Sequence, residues 1–192
     1  TIQSRPTLLE FGAESLLPNM VAVSLVREIS PVITALICAG KVGSGMGAEL
    51  GSMVVTEQID AMEVSGTNPF KYLIVTRVSA TTLMLPILAS LSNAISVFGG
   101  YLGVNIRGSV SWHLYWSQVY DALSFSDIVP ALIKTFFFGF AIGLIGCYKG
   151  YNTSKGTEGV GRAANSAVVF ASLLVFIIDL IAVQLTDILG FT

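Results

Sequence analysis

The sequence predicts an all-α polytopic integral membrane protein, one domain over 1–192, with about four transmembrane helices, a short helix at one membrane face and an interfacial helix at the other. Three observations predict it. Hydrophobic residues fill 53% of the 192 positions and charged residues 11%, where a soluble domain carries about 25% charged. Mean hydropathy is +0.76. Long apolar stretches reach or exceed the roughly 20 residues that a spanning helix needs, and none shows the alternation of a strand. This composition excludes a cytosolic globule, a disordered tail and a secreted disulfide scaffold. A net charge of −2 and a pI near 5.3 leave no basic surface for nucleic acid. Cys38 and Cys147 fall in apolar stretches and read as small buried hydrophobes, with no need of an oxidised pair. Thr1 stands first and no basic leader precedes an apolar core. No signal peptide is expected, and the chain reads as starting inside a longer gene product.

The first helix covers 16–55. It is apolar overall but holds Arg27, Glu28, Lys41 and Glu49, so its N-terminal part is expected outside the hydrocarbon and the span from about Val32 to Met53. Segment 56–66 follows. A short helix is expected from Thr56 to Val64, with Gly66 as stop and Asn68-Pro69 as turn. Ile59 and Met62 share one face, and Glu57, Asp60 and Glu63 take the other. Two readings stand for it: a docking helix for a cytosolic motor, or a solvated connector resting on the headgroups. The next span is 72–104, long enough for tilt or a bend at Pro86. An interfacial helix over 110–120 carries Trp112, Tyr115, Trp116 and Tyr120 at helical spacing, either as a belt at headgroup level or as a ligand platform. Spans 128–148 and 163–191 complete the chain.

Lysine and arginine set the orientation. The loop from Asn105 to Asp127 has only Arg107, whereas Lys149 to Arg162 has Lys149, Lys155 and Arg162, and Thr56 to Arg77 has Lys71 and Arg77. The latter two segments therefore face the cytoplasm, and the C-terminus lies on the far side.

Small residues mark where helices meet. Ala35, Ala39, Gly43, Gly47 and Gly51 recur every four residues, Gly139, Gly143, Gly146 and Gly150 mark the third span, and Ala163, Ala167 and Ala171 the last. Such stripes let backbones approach closely, within one copy or between copies. A charge at mid-membrane costs about 2.5–3.5 kcal/mol on insertion scales and so faces protein or water. Lys41 and Glu49 share similar faces, roughly 12 Å apart along the helix, too far to pair directly. With Asp179 they form a polar lining of a substrate path, or else structural pairs and snorkelling end residues.

Several chemistries lack machinery. His113 is the single histidine, so no metal site is expected. HExxH and GxSxG are absent. The run Gly150 to Thr157 fails the phosphate-loop pattern, because no glycine immediately precedes Lys155 and no Ser/Thr directly follows it. Asn152-Thr153-Ser154 is a formal glycosylation sequon in a loop placed in the cytoplasm. The chain is expected not to hydrolyse ATP by itself and to hold no cofactor of its own.

The runs Arg27-Glu28-Ile29-Ser30-Pro31-Val32, Ala39-Gly40-Lys41-Val42-Gly43-Ser44 and Ala48-Glu49-Leu50-Gly51-Ser52-Met53, then Val55 to Val64 with Asn68-Pro69, then Gly159 to Ala163, resemble the MlaE/YrbE permease family. The likeness extends from about Phe11 to Phe191 and is densest from Ser24 to Arg77. It implies a homodimeric membrane subunit of an ABC-type phospholipid transporter in the bacterial inner membrane. A cytosolic ABC ATPase dimer, holding ATP and magnesium, would bind one side and a ring of MCE-domain proteins the other, and lipid moved between them would help maintain outer-membrane asymmetry. By this resemblance Thr56, Glu57, Gln58, Ile59, Asp60, Met62 and Glu63 form the ATPase-coupling helix, with Ile59 and Met62 as its apolar anchor. Gly43, Met46, Gly47, Leu50 and Gly51 would border the lipid cavity or dimer seam. Family members carry an interfacial helix and a further span before the position of Gly12, expected to be absent here. Lys41 stands where Arg is common, which loses the planar fork, and Asn68 where Asp is common. The alternative from another class is an ion-coupled secondary carrier using Glu49 and Asp179, and a third is a passive membrane scaffold. No inverted repeat or broken helix pair supports the carrier.

Overall fold

The computed structural model describes residues 10, 16–106, 110–154 and 156–188. The expected end of the last span, 189–191, lies outside the described residues, as do Gly12, Arg107 and Lys155. Among the described residues the fold is helical throughout: α1 (Leu17–Val55), α2 (Gln58–Val64), α3 (Phe70–Asn105), α4 (Trp112–Ala122), α5 (Phe125–Tyr151) and α6 (Thr157–Ile188). Four of them, α1, α3, α5 and α6, are long and apolar enough to cross a membrane.

α1 runs unbroken, with π-type turns at Leu25–Ile29 and Ala39–Gly43. A strict four-residue stripe drifts about 40° per step on an ordinary α-helix. A π turn takes up more residues per turn, and Ala35, Ala39, Gly43, Gly47 and Gly51 all stay on the buried side. α3 begins at Phe70 because Pro69 cannot extend a helix upstream and Asn68 caps it, its Oδ1 accepting from the Lys71 N–H at 3.1 Å. α5 begins at Phe125, three residues before the expected Ile128, because Ser124 and Asp127 make a reciprocal capping box.

The four long helices pack small residues inward and large ones outward, the arrangement expected where lipid surrounds the bundle. A side chain at Gly47 would press on the backbone of Ala163 and Ala164 in α6, at 3.2–3.3 Å. One at Gly150 would meet Leu50 Cβ at 2.7 Å and the Met46 and Gly47 carbonyls at 3.0 Å. The glycines of α5 divide their work: Gly146 and Gly150 face α1, whereas Gly139 and Gly143 face Val78, Thr81 and Thr82 of α3. Phe136, Phe137 and Phe140 of α5 and Phe170, Leu173 and Phe176 of α6 point outward.

One end of the bundle carries α2 and the other α4. At the α4 end, Tyr115 and Val119 close a core made by Leu17, Val21, Ala22 and Val26 of α1 with Val97 and Val104 of α3. Ser111 caps α4 by accepting from the Leu114 N–H at 3.3 Å.

Candidate functional site

The residues singled out in the sequence fall into layers along the bundle. At its α2 end, the chain leaves α1 through Thr56, whose hydroxyl donates to the Ser52 carbonyl at 2.8 Å, and turns at Glu57 with a left-handed φ of 57°. That conformation is uncommon for a residue other than glycine. It swings α2 across the helix ends. Ile59 is buried among Leu50, Leu73, Ile74 and Cys147, and Met62 packs against the same cluster with Met46 and Met53. Thr56, Glu57, Gln58, Asp60 and Glu63 stay exposed. The apolar anchor of α2 therefore grips its own bundle, and its acidic face is left outward. Gly66, at φ 80°, supplies the stop.

One layer deeper, Arg77 of α3 clamps Glu49 of α1 bidentately, Nη1 donating to Oε2 at 2.9 Å and Nη2 to Oε1 at 2.8 Å. The stripe Gly43, Met46, Gly47, Leu50 and Gly51 lies inward beside this clamp. Leu50 is fully buried, Gly43 touches Ile142 of α5, and Gly47 touches α6. Within one copy the stripe is thus the seam between α1 and its own α5 and α6. Lys41 points the other way. It is exposed, and among the described residues its ammonium has no hydrogen-bond or ion-pair partner.

Toward the α4 end a buried ionic cluster joins three helices. The Lys134 ammonium of α5, 5% exposed, donates to Glu28 Oε2 of α1 at 2.6 Å and to Asp179 Oδ1 of α6 at 3.0 Å. Arg27 and Asp127 form a looser pair nearby at 3.5 Å. Asp179 was recognised from sequence; Lys134, its partner, was not, although it is the single charge in 128–148 and the cost rule that flags Asp179 flags it equally. Beside this cluster a cavity of about 500 Å³ opens between α5 and α6, lined mainly by apolar side chains such as Val129, Ile133, Phe137 and Leu185, with Lys134 in its wall.

At the α4 end itself, the expected aromatic face divides. Tyr115 turns inward, its hydroxyl donating to the Val97 carbonyl at 2.8 Å, and burial pushes its phenol up to about 12. Trp112, Trp116 and Tyr120 continue as a ladder with centroid spacings of 5.5 and 5.8 Å, Trp112 and Tyr120 exposed and Trp116 half-buried against the core. Cys38 and Cys147 are free thiols. Among the described residues no group of His, Cys, Asp and Glu could hold a metal ion.

Four helices long and apolar enough to span, a short helix lashed across one end with its acids outward, and charges paired between helices define a multi-pass membrane protein. The model of one family, described as Permease MlaE, matches residues 1–185. A probable ABC transporter permease protein of Rickettsia typhi is 39% identical over 184 residues, covering 96% of this chain and 71% of that protein. One from Synechocystis is 38% identical over 92% of this chain and 67% of its own length. The intermembrane phospholipid transport system permease protein MlaE of Haemophilus influenzae is 38% identical, with 94% and 69% covered. The chain belongs to the MlaE permease family, whose members here bear the name of ABC transporter permeases.

Proposed function

We propose that this chain is the permease subunit of an ABC-type phospholipid transporter of the bacterial inner membrane. It works as a homodimer, driven by a separate cytosolic ATPase dimer that binds ATP and magnesium, and exchanges lipid with a periplasmic MCE protein so that outer-membrane lipid asymmetry is maintained. The observation that carries the reading is the seat of α2. Its apolar side is locked into the ends of α1, α3 and α5 through Ile59 and Met62, while Glu57, Asp60 and Glu63 are free to meet a partner. A push on α2 is therefore transmitted to the bundle rather than absorbed by a floppy loop. The name of the Haemophilus influenzae relative supports phospholipid as cargo.

Glu49 and Asp179, the two residues of the carrier alternative, are both engaged, by Arg77 and Lys134, and lie in different halves of α1–α6. Neither is a free carboxylate on a shared path, which favours the ABC reading. The test is to co-purify the chain with its ATPase in mild detergent, comparing wild type with the double variant Glu57→Lys, Asp60→Lys. Loss of the ATPase from the variant, with the permease still folded, is the expected result. An undiminished complex with unchanged lipid-stimulated hydrolysis would sink the coupling assignment.

A further inference from the structure

Four charges punctuate α1, and three of them are paired within the chain. Arg27 meets Asp127 at 3.5 Å. Glu28 meets Lys134 at 2.6 Å, and both oxygens of Glu49 are taken by Arg77. Lys41 is the exception, exposed and with its ammonium unpartnered among the described residues. It lies eight residues, about 12 Å, further into the bundle than the Glu49–Arg77 clamp. The neighbouring α5 confirms the depth: Gly146 abuts Gly43, which sets Lys41 beside the Leu144 level, deeper than Lys149, whose ammonium rests 3.9 Å from the Phe170 ring centroid.

The surface around Lys41 is cleared rather than packed. A side chain at Gly40 or at Gly45 would meet nothing within 4 Å, in contrast to Gly47 and Gly150, which internal packing requires. Lys41 also sits in the second π-type turn of α1, a local departure that recurs at functional sites. Beyond it, toward the α4 end, the same side of the helix presents Ile37, Ile33 and Ile29 at four-residue intervals, 64%, 49% and 45% exposed. A cation followed by an apolar track is the complement of an amphiphile with an anionic head. In the homodimer proposed above, a twofold axis along the membrane normal would hold the two Lys41 at equal depth, and Glu28 and Glu49 of α1 are already paired within their own copy.

From this geometry we propose that Lys41 takes the phosphate of a membrane phospholipid, whose acyl chains run along Ile37, Ile33 and Ile29. The head then points to the α2 end, so the seat loads from the leaflet on that side. The inference rests on the phospholipid reading above and names the residue that meets the headgroup.

The test measures phospholipid retained per purified dimer by mass spectrometry for wild type, Lys41→Met and Lys41→Arg, with the ATPase co-purified in each. Lys41→Met removes a charge from a span and leaves the α2 face intact, so ATPase binding is expected to persist. Retained phospholipid falls five- to tenfold in Lys41→Met and is restored in Lys41→Arg. In parallel, added palmitoyl-oleoyl phosphatidylglycerol raises the melting temperature of wild type, and the matched diacylglycerol, which lacks the phosphate, does not. Lipid retained equally by Lys41→Met, or equal protection by diacylglycerol, overturns the proposal, because Lys41 then merely snorkels or meets a carboxylate of the other copy. Wild type that carries the ATPase but no phospholipid defeats the seat and the cargo together; wild type that carries phospholipid without any ATPase defeats the ABC reading and leaves the seat supported.

Discussion

Lys134 holds two carboxylates from two other helices while itself almost fully buried. Its replacement by methionine leaves Glu28 and Asp179 facing one another without a cation. Breaking a buried ion pair from one side costs about 3–5 kcal/mol, with the lower end expected here because Glu28 is 37% exposed. Lys134→Met is therefore expected to melt well below wild type in detergent, and the triple variant Lys134→Met, Glu28→Gln, Asp179→Asn to recover most of the loss, since no charge is then stranded. Equal losses in the single and triple variants would mean that packing, not charge, holds the site. Tyr115 gives a pH signature at the same scale. Burial pushes its phenol up to about 12 from the ordinary 10, so above pH 10 the unfolded state loses its proton first. The contribution is intact below pH 10 and is lost as pH rises toward 12. Tyr115→Phe is expected to forfeit about 1 kcal/mol for its bond to the Val97 carbonyl at neutral pH and to flatten the alkaline limb of a melting-temperature profile.

Among the elements, the α1–α5 seam is the most sensitive. Gly150 has Leu50 Cβ and two carbonyls of α1 within 3.0 Å of where a side chain would begin, and backbone cannot step aside as a flexible side chain can. Gly150→Leu is expected to abolish the folded peak in size-exclusion chromatography, whereas a similar change at an outward position is tolerated; a monodisperse, wild-type-like Gly150→Leu protein would show the seam to be looser than drawn. The sequence made this seam half legible. The four-residue recurrence of Ala35 to Gly51 announces close approach, but a stripe does not say whether the approaching backbone is its own chain's or another copy's, and in the structure α5 and α6 fill it. The spans were legible because twenty apolar residues leave few alternatives. Their ends were less so: α5 starts at Phe125 because Ser124 and Asp127 cap each other, and α6 at Thr157, six residues before the apolar run, with Glu158 and Arg162 paired across its first turns. The amphipathic split of α2 was legible in Ile59 and Met62, because two apolar residues three apart share a face. What that face grips was not, since it depends on Leu50, Leu73, Ile74 and Cys147 converging from three helices. Lys134 shows the other limit. Its cost was readable, but its partners lie 106 and 45 residues away, and pairing at that separation is set by the packing of helices.

In the whole molecule, paired charges sit toward both ends and small-residue seams run between them. The Glu28–Lys134–Asp179 cluster ties α1, α5 and α6 near the α4 end, and the Glu49–Arg77 clamp ties α1 to α3 near the α2 end. Each ion pair has discrete partners, whereas a glycine seam has no interlocking side chains to resist a small slide. A push on α2 is thus best answered by a shift of helices between two arrangements rather than by bending. In the homodimer proposed above, such a shift would work against the second copy, and α1 offers a surface for it. Its inward stripe is already occupied, while Gly45 on the opposite side has open space. A bulky side chain at Gly45 therefore leaves the fold of one copy untouched and obstructs whatever approaches it. Gly45→Phe is expected to melt within about 0.5 kcal/mol of wild type, as surface substitutions do, yet to shift the protein from dimer to monomer by mass photometry in nanodiscs. If Gly45→Phe stays dimeric, the copies meet elsewhere, and the outward faces of α5 and α6, which carry Phe140 and Phe176, become the surfaces to substitute next.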